Sequence, residues 1–247
     1  MKLNFDVDQG DQERTNLGLI VLQADETLEN ELRLVLQDPN IALYHTRIPS
    51  HPNVTKETLV QMARDLPAAA GLLPKNTSFD AIGYACTSGA TVIGPKVVAD
   101  KVHEHHPGVA VTDPITAVIA GCRALGVTKL GFLTPYVPEV SKAMRELLES
   151  KGLEVTGFGS FEQEQEKVVS RISEASTLDA IVRVGQSLEC EAVFVSCTNL
   201  RTFGILAEAE KILGKPVISS NLALLWHLMR IAGVKGRALA PGLLFNV

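Results

Sequence analysis

Short apolar runs rich in Val, Ile and Leu alternate along the chain with longer stretches of helical period. Apolar runs of this kind suit strands buried on both faces, and a helical stretch after each suits β/α units feeding a parallel sheet. The pattern predicts eight strands, at Leu17–Leu22, Asn40–Thr46, Phe79–Ala85, Gly108–Thr112, Thr128–Thr134, Leu153–Phe158, Glu191–Ser196 and Pro216–Ser219. Helices are expected over Glu26–Leu36, Lys56–Ala70, Gly94–His106, Ile115–Leu125, Pro138–Ser150, Thr177–Glu189, Leu200–Leu213 and Leu222–Ile231. Several of these open on Ser, Thr, Asp or Pro, the residues that start helices. A polar tail through Asn16 precedes the first strand, and no linker rich in Gly, Pro or Ser divides the rest.

The strands fall into two sets of four. Leu17 and Thr128 open the first strand of each set, Cys86 and Cys197 follow the third, and each pair is 111 positions apart. The local texts agree in kind: Phe79-Asp80-Ala81-Ile82-Gly83-Tyr84-Ala85-Cys86-Thr87-Ser88 and Glu191-Ala192-Val193-Phe194-Val195-Ser196-Cys197-Thr198-Asn199. Each is a buried strand, a cysteine, then Thr and a small polar residue. Equal offsets at two landmarks point to an internal duplication.

Composition narrows the class. The 247 residues carry 23 Lys and Arg against 28 Asp and Glu, a net charge of −5 that offers no basic stripe to phosphates, so nucleic acid is not expected as a partner. No apolar run approaches the roughly 18 residues of a membrane span. The start of the chain is polar and acidic where a signal peptide would be apolar, so a soluble, cytoplasmic protein with no membrane partner is expected. Four cysteines without a C-x-x-C pair suit free thiols in a reducing compartment.

Ligands of open parallel α/β sheets sit outside the carboxyl ends of the strands. A cysteine placed after a strand and before a helix therefore faces the functional edge, among free N–H groups and at the positive end of a helix dipole. Such a site lowers a thiol's pKa and also cradles a carboxylate. If two such lobes face each other, Cys86 and Cys197 approach one substrate from opposite sides. One sulfur then takes a proton or adds to the carbon next to a carboxylate, and the other delivers a proton to the opposite face. Thr87, Ser88, Thr198, Asn199 and their backbone N–H groups are the expected donors to the enediolate formed on the way.

The strings Gly83-Tyr84-Ala85-Cys86-Thr87-Ser88-Gly89 and Ser196-Cys197-Thr198-Asn199-Leu200-Arg201-Thr202 resemble the aspartate/glutamate racemase superfamily, within it the maleate cis-trans isomerase and arylmalonate decarboxylase branch. The resemblance runs from about Leu17 to the C-terminus. It implies an α/β fold of two pseudo-symmetric lobes, each a four-stranded parallel sheet flanked by helices, with an active site between them and chemistry without cofactor or metal. The expected division is a tail over 1–16, a first lobe from 17–112 plus 219–247, and a second lobe from 113–218. A homo-oligomer is also implied. In maleate isomerases the first cysteine adds to the alkene and the second acts as acid, and Cys86 and Cys197 match those positions. Arylmalonate decarboxylases keep only the second, so the presence of Cys86 argues against a pure decarboxylase. Thr134-Pro135-Tyr136 resembles the family segment whose tyrosine binds a substrate carboxylate, which makes Tyr136 a site candidate.

Two departures from the family pattern bear on the substrate. Asp25 stands where the isomerases carry a substrate-binding Asn, and a second family Asn falls in Glu162-Gln163-Glu164-Gln165-Glu166, which has none. Carboxylates in place of neutral donors disfavour a dianion and suit a ligand with an amine or amidine. Val21-Leu22-Gln23-Ala24-Asp25-Glu26-Thr27 is similar to the branch encoded in ectoine-utilisation operons, which implies an ectoine-derived amino acid as a possible substrate.

The remaining candidates take plainer readings. Cys122 and Cys190 read as buried small hydrophobes. His103-Glu104-His105-His106 contains metal-ligand residue types, but adjacent positions point around a helix rather than at one centre, and His suits a helix C-terminus. Arg201 either pairs with a substrate carboxylate or braces the loop. Glu162–Glu166 reads as a solvated loop or helix start. Thr87–Gly94 lacks the ending of a nucleotide P-loop. The expected function is a cofactor-independent isomerase or racemase acting on a small carboxylate. The alternatives are an arylmalonate-type decarboxylase with Cys197 as proton donor, and a carboxylate-binding module without catalysis.

Overall fold

A computed structural model describes residues 1–8, 14–234 and 240–247. Parts of the expected tail and of the C-terminal segment, 9–13 and 235–239, lie outside the described residues. The first half of the chain runs β1 (Thr15–Leu22), α1 (Leu28–Val35), β2 (Ile41–Ile48), α2 (Lys56–Ala70), β3 (Ala81–Ala85), α3 (Thr87–Ile93), α4 (Pro95–His103), β4 (Ala110–Thr112) and α5 (Pro114–Leu125). The second half runs β5 (Lys129–Tyr136), α6 (Pro138–Ser150), β6 (Glu154–Gln163), α7 (Glu166–Val169), α8 (Glu174–Gly185), β7 (Ala192–Val195), α9 (Leu206–Leu213), β8 (Val217–Ser219) and α10 (Ser220–Ile231).

The strands form two four-stranded parallel sheets of the same topology, ordered β2-β1-β3-β4 and β6-β5-β7-β8. The duplicated spacing thus corresponds to a duplicated sheet. Central strands are the apolar runs of the sequence: Leu17 and Leu19–Val21 in β1, and all of β3 and β7, are buried. Helices cover the faces, as parallel sheets require. In each sheet the chain steps from its central strand to one side (β2, β6) and then returns to the other (β3, β7). The crevice where this direction reverses lies at the carboxyl ends of β1 and β3, and of β5 and β7.

Local start signals act as the sequence indicates. Asp113 caps α5 by accepting from Ile115 and Thr116 N–H, both at 3.0 Å. Thr55 and Thr58 form a reciprocal cap on α2. Three expectations need correction. The helix expected over Gly94–His106 is α4, which ends at His103, and a further helix, α3, precedes it over Thr87–Ile93; Gly94 at φ +92° separates the two and Pro95 starts the second. The helix expected from Leu200 starts only at Leu206, because the N–H groups of Thr202 and Phe203 bind the Glu31 carboxylate instead. β1 begins at Thr15, inside the expected tail, where Thr15 and Asn16 pair with Ile41 and Ala42.

No helix among the described residues is long and apolar enough to cross a membrane.

Candidate active site

Each of the four crevice strands delivers one candidate. Asp25 follows β1, Cys86 follows β3, Tyr136 ends β5, and Cys197 follows β7 after Ser196. All four side chains are buried. Thr87, Ser88, Thr198 and Asn199 are buried in the same two cysteine loops, so the expected site residues come together.

Cys86 is the N-cap of α3, and its sulfur accepts the Gly89 N–H at 3.2 Å. Ser88 Oγ lies 3.6 Å from the same sulfur. Gly89 makes the crowding possible: a Cβ there would press on the Tyr84 hydroxyl and lie 2.9 Å from the Cys86 sulfur. The helix N-terminus does not produce a low-pKa thiol. Burial pushes Cys86 up to about 11, against the donors Ser88, Gly89 N–H and Tyr84 that favour the thiolate, while the charge of Glu166 adds to the rise.

Cys197 is held differently from its duplicate. A helix does not follow it directly; the chain continues as a loop to α9. Its backbone takes φ +111°, a region that side chains with a Cβ seldom occupy. Its N–H donates to Ser220 Oγ at 3.0 Å, and its sulfur accepts from the Tyr136 hydroxyl at 3.0 Å and from Asn199 N–H at 3.3 Å. Burial raises the thiol well above its usual range, the Glu166 charge adds to that, and the Tyr136 and Asn199 donors oppose it.

The two cysteine loops are tied together. Ser220, at the start of α10, shares a 2.8 Å hydrogen bond with the Thr87 hydroxyl while accepting from Cys197 N–H. The Thr198 hydroxyl donates to Ala85 O at 3.4 Å. Asn199 joins the sheets at the mouth: its Oδ1 accepts from Glu26 N–H at 2.9 Å, and its Nδ2 donates to Ala24 O and to Glu166 Oε2 at 3.2 and 3.0 Å. The segment around Pro52–Val54 clasps 164–166 by backbone bonds, Val54 N–H to Glu164 O and Glu166 N–H to Pro52 O. A cleft of about 650 Å³ lies outside this clasp, lined by Gln23, Ala24, Glu26, Asn53 and Glu166 among others.

Asp25 Oδ1 accepts the N–H groups of Thr27 and Leu28, each at 2.8 Å, and its buried Oδ2 has no hydrogen-bond partner. Burial raises its pKa, with the two backbone donors and Thr198 pulling the other way. Glu166, read in sequence as part of a solvated acidic run, is instead buried, and burial and the nearby Asp25 raise its pKa. Glu31 was also not singled out. It accepts from Phe203 N–H at 2.8 Å and Asn221 Nδ2 at 2.7 Å, and burial lifts its pKa to about 7. Its signal was present, because Glu31 interrupts the apolar stripe Leu28, Leu32, Val35. Ser220 and Asn221 carried no such signal.

Arg201 is exposed, lies in the loop rather than in a helix, and donates to Ile172 O at 3.1 Å, which makes it a brace. Cys122 and Cys190 are buried away from the cysteine loops, Cys190 accepting from Gly131 N–H. His103 and His106 bind separate carbonyls, of Val109 and Ala70, and the described residues contain no cluster of three or more ligand types fit to hold a metal ion.

Known proteins share this fold. The chain is 32% identical to the arylmalonate decarboxylase of Bordetella bronchiseptica over 136 residues, which spans 55% of this chain and only 56% of that protein. The fold matches the crystal structure of the maleate isomerase Iso from Pseudomonas putida S16 with maleate at a TM-score of 0.85 and 21% identity, over 94% of this chain and 97% of that one. It also matches the maleate cis-trans isomerase of Nocardia farcinica with a covalently bound succinylcysteine intermediate, at TM-score 0.79 and 22% identity, over 94% and 98% of the chains. The family model described as arylmalonate decarboxylase matches residues 101–245, more than half of the sequence, and the chain belongs to that family of enzymes.

Proposed function

We propose that the chain is an isomerase or racemase acting at the carbon next to the carboxylate of a small acid, with Cys86 and Cys197 working on opposite faces and no cofactor. The observation that carries this reading is the delivery of two buried thiols from equivalent points of a duplicated sheet, both in the field of Glu166 and both within electrostatic reach of Tyr136. The succinylcysteine of the Nocardia farcinica enzyme supports covalent or proton-transfer roles for such thiols.

In the isomerase form, the Cys86 thiol first gives its proton to solvent entering with the substrate, and the thiolate adds to one alkene carbon; the proton returns to the sulfur when the product leaves. The alkene pair moves toward the carboxylate on the other carbon as an enediolate, and the bond between the two carbons becomes single and rotates. The pair then returns as the Cys86–carbon bond breaks. In the racemase form, one sulfur removes a proton and the other returns one to the opposite face. A donor to an enediolate must stay protonated at rest, and the raised pKa of Cys197 meets that need. In this reading the N–H groups of Thr87, Ser88 and Thr198 and the Ser88 hydroxyl hold the carboxylate on which charge develops, while the Thr87 and Thr198 hydroxyls, bonded to Ser220 and Ala85, fix the two loops.

A second reading, decarboxylation with Cys197 alone as proton donor, is favoured by the similarity to the Bordetella bronchiseptica enzyme. Against it stands Cys86, which a decarboxylase does not need. The test is a proton NMR screen in heavy water over maleate, arylmalonates, amino acids, ectoine and its ring-opened derivatives. Interconversion of isomers, or deuterium at the carbon next to a carboxylate of an acid that keeps all its carboxylates, supports the isomerase or racemase reading, whereas deuterium in a product that has lost carbon dioxide supports the decarboxylase. Tight binding of a carboxylate with no exchange and no conversion overturns it in favour of a binding module. The four free, buried cysteines support a cytoplasmic setting.

A further inference from the structure

We infer that the site takes a small carboxylic acid bearing a cationic nitrogen, and that Asp25 and Glu166, one from each half of the chain, are the pair of carboxylates that receives the cation. This deepens the two-cysteine reading and rests on it for the place of the substrate's own carboxylate, at the N–H groups of the cysteine loops.

The first observation is an unmet need. Asp25 is 4% exposed, its Oδ1 is fixed by two backbone N–H groups, and its Oδ2 has no hydrogen-bond partner, the Thr198 hydroxyl beside the carboxyl being directed to Ala85 O. Buried carboxylate oxygens are nearly always given donors, and one left bare at a ligand site is completed by a ligand donor. Because Thr27 and Leu28 lock the other oxygen, the carboxyl is held in one orientation before anything binds, which spares a ligand the cost of ordering it.

The second observation is the charge around that oxygen. Glu166 is equally buried, accepts a single side-chain bond from Asn199, and lines the cleft outside the clasp. It is close enough to Asp25 for the two charges to disfavour each other, and the Asn199 amide that holds it also donates to Ala24 O, the residue before Asp25. The nearby cations have other partners, although the Arg47 charge also reaches Asp25 and favours its ionised form. Arg47 pairs with the Glu29 carboxylate and donates to the carbonyls of Leu22 and Asp25, Arg171 pairs with Glu26, and Lys167 is exposed at the mouth of the cleft.

Together these features select by charge. A second carboxylate on the substrate would meet two desolvated acids, whereas an ammonium has three N–H donors, enough for Oδ2 of Asp25 and the free positions of Glu166, and cancels their repulsion. A substrate cation would also offset the Glu166 charge that both thiols feel, which ties recognition to the chemistry.

Calorimetric titration of the full chain with two matched series tests this: β-alanine, butanoate and succinate, then γ-aminobutyrate, pentanoate and glutarate. Within each series the far end is an ammonium, a methyl or a carboxylate. In at least one series the amino acid is expected to bind about tenfold or more tightly than both analogues. Asp25→Asn keeps the Oδ1 acceptor and should cut that preference at least about fivefold, as should Glu166→Gln, with circular dichroism confirming that each variant is folded. The inference is overturned if a dicarboxylate binds tightest, if no amino acid is preferred, if no probe binds in the millimolar range, or if the preference survives in both variants. Exchange at the cysteine site without this preference would leave the two-cysteine reading standing and remove the cation pair. The preference without exchange would do the reverse.

Discussion

The Tyr136 hydroxyl donates a hydrogen bond to the Cys197 sulfur across 3.0 Å, with both side chains buried. The donor favours the thiolate in a place where burial opposes it, so it sets how readily this sulfur gives and takes a proton. Replacing Tyr136 with Phe removes the donor and makes Cys197 a weaker acid. Steady-state kinetics of Tyr136→Phe should show kcat reduced roughly 10- to 100-fold with a smaller change in KM, and any alkaline limb due to Cys197 ionisation moved up in pH, not down. An unchanged kcat would remove Tyr136 from the proton path.

The backbone at Cys197 stores strain. A non-glycine residue at φ +111° costs roughly 1–3 kcal/mol, which the fold sustains for the sake of the thiol's position. Both Cys197→Gly and Cys197→Ala lose the thiol and its bond to Tyr136, but only glycine relieves the backbone. Urea denaturation should find Cys197→Gly about 1 kcal/mol more stable than Cys197→Ala, even after glycine's added freedom in the unfolded chain is counted. Equal stability would mean that the strain is absent.

Glu31 joins α1 to the loop after β7 and gives stability a pH dependence. Its pKa rises from 4.5 to about 7 on folding, so the folded state holds the extra proton between these values. Stability from this group is complete below about pH 4.5 and is lost as pH rises through about 7, by at most roughly 3 kcal/mol. The difference in melting temperature between Glu31→Gln and the unaltered chain, followed across that interval, should shift in the variant's favour as pH increases. A constant difference would contradict the shifted carboxylate.

All four cysteines are free and buried, and burial holds Cys86 near 11 and Cys122 near 12. A thiolate-selective reagent such as dithionitrobenzoate should therefore react slowly with the native protein at neutral pH and with all four thiols once it is unfolded. Two fast thiols in the native protein would contradict the burial of Cys86 and Cys197.

The sequence carried much of this architecture because its signals are local. Buried parallel strands are apolar runs, and the cysteine that ends each third strand sits next to the run that predicts it, so Cys86 and Cys197 are legible in the sequence, whereas Tyr136 is implied only by the family resemblance of Thr134-Pro135-Tyr136. Glu166 could not be read there: an acidic run looks solvated, and it is the backbone bonds to Pro52 and Val54 and the Asn199 amide, all far away in sequence, that turn this one inward. Ser220 and Asn221 join the site through α10, far from the cysteines in sequence. The difference between the duplicated cysteines was equally hidden, because Glu31 takes up the N–H groups that would otherwise start a helix after Cys197.

The central claim is that two thiols act on one carbon framework, and paired replacement tests it most directly. Conversion of the substrate found in the heavy-water screen should be followed by NMR for the unaltered chain, Cys86→Ala, Cys197→Ala and the double variant. The account predicts that each single replacement lowers conversion at least about a hundredfold, and that the double variant is no worse than the poorer single one. Conversion retained by Cys86→Ala but lost in Cys197→Ala would establish the decarboxylase reading in its place, and full turnover without either thiol would contradict both.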